Sequence, residues 1–250
     1  MENELTLRSQ HETDVEEMLR PAIEGRDFYY LTKRMFDIAM AGSMALLLLP
    51  LMALISTAIF IYSPGPVFFT QSRVGVKRVR RGNIYYWKRE NFRFYKFRTM
   101  KINVDSSVHK DFVQALIQND HGKMDGIQGQ KTAIRKLVND PRIIRPGKFL
   151  RKFSLDELPQ LWNVLRGDMS MIGPRPAIPY ELEVYKPWHF QRLEAQPGIS
   201  GLQQVEARSV VDFDEQVKMD LEYINSQSLW LDIKIALKTP LAVISGRGAY

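Results

Sequence analysis

Polar and apolar residues mix at short range along most of this chain, except from Ile38 to Tyr62. There IAMAGSMALLLLPLMALISTAIFIY runs for 25 residues without a charge. About 20 such residues suffice to cross a bilayer as a helix. A polar stretch precedes the segment and no small-residue cleavage pattern follows it, which argues against a signal peptide. Pro50 lies near its middle, where a proline deletes a backbone hydrogen bond and bends a helix. Both flanks are basic: Lys33 and Arg34 before, then Arg73, Lys77, Arg78, Arg80 and Arg81 after. Basic residues favour the cytoplasmic side, so a straight span puts one cluster on the wrong face. A helix that enters, breaks at Leu49-Pro50 and returns to the same face satisfies both, and a re-entrant hairpin is expected ahead of a span.

Further along, YKFRTM (95–100) alternates apolar and polar positions. This reads as a strand with Lys96 and Arg98 on one face. Leu155, Leu158, Leu161, Trp162 and Leu165 recur at helical spacing, predicting a helix over 155–166. Its start admits two registers. With Ser154 as N-cap, Glu157 completes a capping box and Asp156 lies in the first turn, but Pro159 forfeits a bond. With Asp156 as N-cap, Pro159 falls among amides that lack partners anyway. The Ser154 register is expected, because it leaves Asp156 free of capping. The run SLWLDIKIALKTPLAVISG (228–246) is too polar to span, and reads equally as an interfacial helix or an amphipathic core helix.

Composition narrows the chemistry. The 250 residues carry a formal charge of +7 and an estimated pI near 9.5, which suits anionic partners. No cysteine is present, so disulfides, thiolate nucleophiles and cysteine-ligated zinc are excluded. Residues 1–27 hold eight acidic and three basic side chains and read as a loosely attached tail or short surface helix. Residues 73–101 hold eleven Lys/Arg against Glu90 alone, interleaved with aromatics. That pattern fits single-stranded nucleic-acid binding, a solvated sheet face, or contact with anionic headgroups. Its position just after the apolar segment favours headgroups.

Phosphate-loop, dinucleotide and nucleophile-elbow motifs are missing. His11, His109, His121 and His189 are scattered without metal-ligand spacing and read as surface or core residues. Carboxylates and arginines remain. In GDMSMIGPRP (167–176), prolines flank Arg175 and stiffen it for bidentate recognition of phosphate or carboxylate. Arg145, Lys148, Arg151 and Lys152 precede Asp156 and Glu157. Two acids in a basic setting suit phosphoryl chemistry: one attacks phosphorus, the other holds a divalent metal, and arginines neutralise the phosphate oxygens.

NDPRIIRPGKFLRKFSLDELPQLWNVLRGDMSMIGPRP (139–176) closely resembles the bacterial sugar transferases, the monotopic polyprenyl-phosphate phosphoglycosyl transferases. KRMFDIAMA (33–41), PGPVFFTQSRVG (64–75), YKFRTM (95–100) and PGISG (197–201) resemble them too, in family order. The resemblance implies transfer of a sugar 1-phosphate from a nucleotide diphosphate sugar, usually uridine-linked, to polyprenyl (undecaprenyl) phosphate. It makes Asp156 the nucleophile of a covalent phosphosugar-enzyme intermediate and Glu157 the ligand of Mg2+ (or Mn2+). It places Arg151 and Arg175 at the substrate phosphates, with Lys96 and Arg98 as further candidates. Two departures stand out. Leu49-Pro50 replaces the Ser-Pro at the helix break of small members, and the stretch between Gly75 and Tyr95 is longer and more basic. The additional N-terminal spans of the large members are not expected.

The expected architecture is α/β, mostly helical with small strand elements, as a monotopic membrane protein. Residues 1–32 are expected as the acidic tail, 33–70 as re-entrant helix and exit, and 71–250 as a cytosolic catalytic domain with interfacial helices. The expected location is the cytoplasmic face of the bacterial inner membrane, with no nucleic acid partner and a homo-oligomer left open. Two competing readings stay open: a peripheral nucleic-acid or anionic-lipid binding protein, and a catalytically silent membrane scaffold.

Overall fold

The computed structural model describes residues 19–23, 25–102, 107–129, 142–207 and 211–244. Residues 1–18 of the acidic leader and His11 therefore lie outside the described residues. The part of the leader that is described is tied down. Strand β1 (Leu19–Pro21) pairs antiparallel with Tyr86–Lys88, and Ala22 is buried beneath Trp87.

Helix α1 (Asp27–Tyr62) absorbs the apolar segment as one 36-residue run with Pro50 inside it. Its middle is bare: Leu46 and Leu47 are 77% and 78% exposed. A water-exposed helix face is ordinarily polar, so this surface needs an apolar environment. The two ends of α1, by contrast, dock on the rest of the chain.

The N-terminal docking uses charge. Lys33 Nζ lies 3.0 Å from Asp232 Oδ2, and both are buried. Tyr29 and Tyr223 donate their hydroxyls to the same carboxylate, at 2.9 and 2.7 Å. Arg34 donates to the carbonyls of Val164 and Leu165 at 2.6 and 2.9 Å, closing the C-terminal end of helix α5 (Gln160–Arg166). Arg26 does the same for Ile224 and Asn225 at the end of helix α7 (Phe213–Ser226). Cations at helix C-termini satisfy orphan carbonyls and complement the dipole. Asp37 accepts from the Met171 amide (2.9 Å) and the Ser170 hydroxyl (3.0 Å). The basic flank read from sequence is thus committed to internal bonds at Lys33 and Arg34, and Arg73 is buried as well. The C-terminal docking is apolar: Ile55 and Ile59 pack with Phe97, Ile144 and Leu150.

Strands β2 (Phe68–Arg81) and β3 (Ile84–Phe97) form an antiparallel hairpin paired from Phe68–Phe97 to Arg81–Ile84. Its base touches the end of α1 through Phe97. Its outer half touches the start of α1, where Tyr30 meets Trp87 edge-on at 5.4 Å and Arg78 pairs with Asp27. After helices α2 (Ser107–Ile117) and α3 (His121–Gln128), helix α4 (Arg145–Lys152) leads into the acidic pair. Strand β4 (Ser170–Ile172) runs parallel to β5 (Gly198–Ser200). Gly173 and Gly198 make this possible, since a Cβ on either would strike the other segment's backbone.

Helix α6 (Leu202–Glu206), α7 and helix α8 (Leu229–Ile244) complete the chain. α8 buries Asp232 and Ile235 but exposes Trp230, Leu237, Leu241 and Ile244. Its outward face is apolar, unlike that of a core helix in a water-soluble domain.

Removing one partner of a buried ion pair costs about 3–5 kcal/mol, because the other charge is left uncompensated. Lys33→Met should therefore lower the melting temperature of the detergent-solubilised protein sharply, and adding Asp232→Leu should restore part of it. A shift no larger than that of an exposed salt bridge, about 1 kcal/mol or less, would rule out this pair as the clamp on α1.

Candidate functional site

The acidic pair does not begin one continuous helix over 155–166. α4 ends at Lys152, Ser154 adopts a left-handed conformation (φ +53°), and Leu155–Glu157 form a single 3-10 turn before α5 starts at Gln160. Ser154 stands at the N-cap position as expected, but its side chain caps nothing and no capping box forms. The reason is local. Pro159 has no amide to continue a helical ladder through 155–159. A left-handed non-glycine residue costs about 1–2 kcal/mol, which the surrounding packing has to offset. Leu155 and Leu158 anchor the turn against the Ile55–Phe97 cluster, while Leu161 and Val164 enter the main core.

The carboxylates meet the end of β3. Lys96 Nζ lies 2.6 Å from Glu157 Oε1 and 3.5 Å from Asp156 Oδ2. Asp156 is buried, with 7% of its surface exposed. Burial is the largest influence on its carboxyl and raises its pKa; Lys96 opposes this, Glu157 reinforces it, and Arg151 opposes it more weakly. The ammonium shared by the two carboxylates is the largest influence favouring the charged form of Asp156 against its burial.

Asn163, wholly buried, fixes the spacing between turn and strand. Its Oδ1 accepts from the Tyr95 amide (3.2 Å), and its Nδ2 donates to the Arg93 carbonyl (2.7 Å) and Asp168 Oδ2 (3.2 Å). The bonds to Tyr95 and Arg93 tie α5, which follows the dyad, to the stretch of β3 that carries Lys96, and the bond to Asp168 holds the turn after α5.

Arg151 and Arg175 border the site; Arg175 is exposed between buried Pro174 and Pro176. Two more arginines join them. Arg73 is buried, donates to the Pro176 carbonyl at 2.9 Å and stacks 5.1 Å from the Phe94 ring. Burial, then the nearby Arg175, lowers its pKa to about 10. His109 at the start of α2 reports the cluster: burial, then Arg73, Arg142, Arg175 and Arg151 in turn, hold its imidazole down at about 4. His109 is therefore neutral at physiological pH amid four guanidinium groups, a field suited to an anion of high charge.

Arg98 behaves differently from the expectation that it shares a face with Lys96. β3 ends at Phe97, and Arg98 turns back to the carbonyls of Ser63 and Pro64, closing the C-terminal end of α1. It is buried there and does not reach the acidic pair. Sequence reading missed Arg73, His109, Arg142 and Asn163. Arg73 was present in TQSRVG and Asn163 in QLWNVL, but no spacing rule distinguishes either from a surface residue.

Residues 28–246 match the bacterial sugar transferase family. The chain is 37% identical over 220 residues to the "Exopolysaccharide production protein ExoY" of Rhizobium meliloti, covering 88% of each protein. It is 41% identical over 222 residues to the "Galactosyl transferase CpsE" of Streptococcus agalactiae, covering 88% of this chain and 44% of that one. It is 39% identical over 218 residues to the "Undecaprenyl-phosphate galactose phosphotransferase" of Salmonella typhimurium, covering 87% and 41% respectively. The chain thus spans less than half the length of the Streptococcus and Salmonella proteins.

An anion that neutralises the arginines should relieve the field on His109. Its imidazole titration, followed by NMR and assigned with His109→Gln, should move upward by about one pH unit or more when pyrophosphate binds. An unchanged midpoint would mean that the four arginines do not share one anion site.

Proposed function

We propose that this chain, which belongs to the bacterial sugar transferase family, transfers a sugar 1-phosphate from a uridine diphosphate sugar to undecaprenyl phosphate. The carrying observation is a buried Asp156 at a sharp turn, with Lys96 on one side and the cluster of Arg151, Arg175, Arg73 and Arg142 nearby. A scaffold would not need a buried carboxylate raised by desolvation beside a cationic field.

In this reading an Asp156 oxygen attacks the sugar-bearing phosphorus of the donor. The bond from that phosphorus to the bridging oxygen breaks, and uridine monophosphate leaves with the electron pair. An oxygen of the lipid phosphate then attacks the acyl phosphate, forming the lipid diphosphosugar and restoring the Asp156 carboxylate. The arginines neutralise donor oxygens in a partly desolvated site, where such contacts act most strongly. Lys96 keeps Asp156 ionised between turnovers.

The donor set at the turn fits magnesium or manganese. It offers oxygen ligands, and a lysine ammonium already bridges them as a stand-in cation. Among the described residues there is no cluster of three or more metal-ligating side chains. Mg2+ is commonly held by one or two carboxylates plus substrate phosphates, which matches Glu157 with the donor. A bound divalent ion there supplies charge neutralisation at the diphosphate.

The re-entrant arrangement also belongs to this proposal, with the catalytic body at the cytoplasmic face of the inner membrane. Both ends of α1 dock on one body. From Tyr30 to Ile59 an unbent helix advances about 44 Å. The hairpin positions that pack against these ends, Trp87 and Phe97, lie about 33 Å apart along a strand. A straight α1 is thus about 11 Å longer than this spacing, and in the re-entrant arrangement a bend of roughly a right angle at Leu49-Pro50 would absorb the difference. Apolar exposure on α1 and α8 and at Phe149 and Trp162 supports shallow immersion with the dyad near the surface.

Nanodisc-embedded protein offered a panel of uridine diphosphate sugars and undecaprenyl phosphate should release uridine monophosphate with at least one of them. Asp156→Asn should lose about a thousandfold or more in turnover, since the nucleophile itself is removed. Full activity in that variant would sink the covalent route, and no release with any donor would favour the scaffold. Reporters fused at residue 30 and at residue 250 should map to the same side of the membrane. Opposite sides would end the re-entrant reading.

A further inference from the structure

The ammonium of Lys96 lies where a metal ion on Glu157 would need to be. It is 2.6 Å from Glu157 Oε1 and within 3.5 Å of Asp156 Oδ2, with only 17% of its side chain exposed. A divalent ion binds carboxylate oxygen at about 2.0–2.1 Å. An ammonium and a divalent ion on the same carboxylate repel each other strongly at such range in a partly buried site, so the two cations compete for Glu157.

We propose that Lys96 is an exchangeable counter-cation: it holds the two carboxylates together until a divalent ion takes Glu157, and it is then released toward the donor phosphates. This rests on the functional reading above, and assigns to Lys96 a timed positioning role that a fixed phosphate ligand would not have. The surroundings favour movement by the side chain alone. The Lys96 backbone is pinned by its register opposite Phe69 and by the neighbouring Tyr95–Asn163 bond. Its long flexible stem lets the ammonium swing while the strand stays still. The Phe94 ring, 5.6 Å from Nζ, gives the cation an apolar wall that does not compete with the carboxylates. On release, the nearest strong attraction is an anion held by the arginine cluster.

Two predictions separate this role from a static salt bridge. Removing a competing occupant raises apparent affinity by the fraction of time it blocked the site. Mn2+ binding to Lys96→Met, measured by electron paramagnetic resonance without donor, should therefore be tighter than wild type by about threefold or more. Lys96→Gln should behave the same way, and Glu157→Gln should weaken binding in either background. In wild-type protein, which avoids any folding defect of the variants, Mn2+ should increase the rate of Lys96 acylation, read by mass spectrometry, by a similar factor. Glu157→Gln should abolish that Mn2+ response.

Mn2+ affinity that is equal or weaker in both Lys96 variants, with Lys96 labelling indifferent to Mn2+, overturns the exchange while leaving a Glu157-dependent metal site intact. Mn2+ binding that is indifferent to Glu157→Gln overturns the exchange and the metal assignment together, whatever the transferase assay shows.

Discussion

Lys33 and Asp232 bind to each other beyond the reach of water, and the rest of the molecule is arranged around that pair. A lone charge at either position would be costly to bury, so α1 and α8 must meet there for either to fold. Tyr29 and Tyr223 occupy the remaining acceptor positions of the carboxylate, giving the contact direction as well as charge. The next residue of α1, Arg34, closes the C-terminal end of α5, and one turn beyond Lys33, Asp37 holds β4. The apolar helix is therefore fixed in rotation and translation relative to the helix that begins just past the dyad. Under the proposed function, with one substrate drawn from a bilayer and another from water, that rigidity would set the height of Asp156 above the lipid.

At the dyad two large effects oppose each other. Burial favours a protonated Asp156, while Lys96 favours the carboxylate. A fully exposed Asp156 would be ionised without help, but it would be hydrated and a poor nucleophile. A buried one without a cation would stay neutral and inert. The turn places Asp156 between these limits, and Asn163 keeps the distance to Lys96 from drifting by joining α5 to β3 through two hydrogen bonds. The strained Ser154 fits this picture, since a regular helix through 154–158 would turn the two acids about 100° apart with no common partner.

Much of this was legible in the sequence, and the parts that were not share a cause. Apolar length announced α1, alternation announced the end of β3, and leucine spacing announced α5, although the helix expected over 155–166 begins only at Gln160 after a 3-10 turn. What periodicity cannot express is where a long polar side chain ends up. Lys33 and Arg34 look identical to membrane-flanking charges until their partners, 199 and 130 residues away, are known. Arg98 follows Lys96 by two residues, yet the strand stops between them and sends the guanidinium to α1. His109 and Arg73 are invisible for the same reason, because their significance is collective and created by folding. Asp156, Glu157 and Arg175 stood out in the sequence because proline and helix-start chemistry mark them locally, and their roles belong to the proposed function.

The basic stretch of residues 73–101 illustrates how one composition divides into separate tasks. Arg73 faces inward toward the arginine cluster, Lys96 serves the carboxylates and Arg98 closes a helix. Arg78 pairs with Asp27 and stacks on Tyr30 and Tyr85. Lys77 pairs with Glu90 across the hairpin. Of the remaining cations, Arg80, Arg81 and Lys88 are exposed toward the tip, while Arg93, opposite Ser72, and Lys101 are exposed nearer the base. That tip lies beside the start of α1, at the far end from Phe97 and the dyad. Contact with anionic headgroups, the use that composition favours, is therefore open to these exposed cations and not to the buried or paired ones such as Arg73, Arg78 and Arg98.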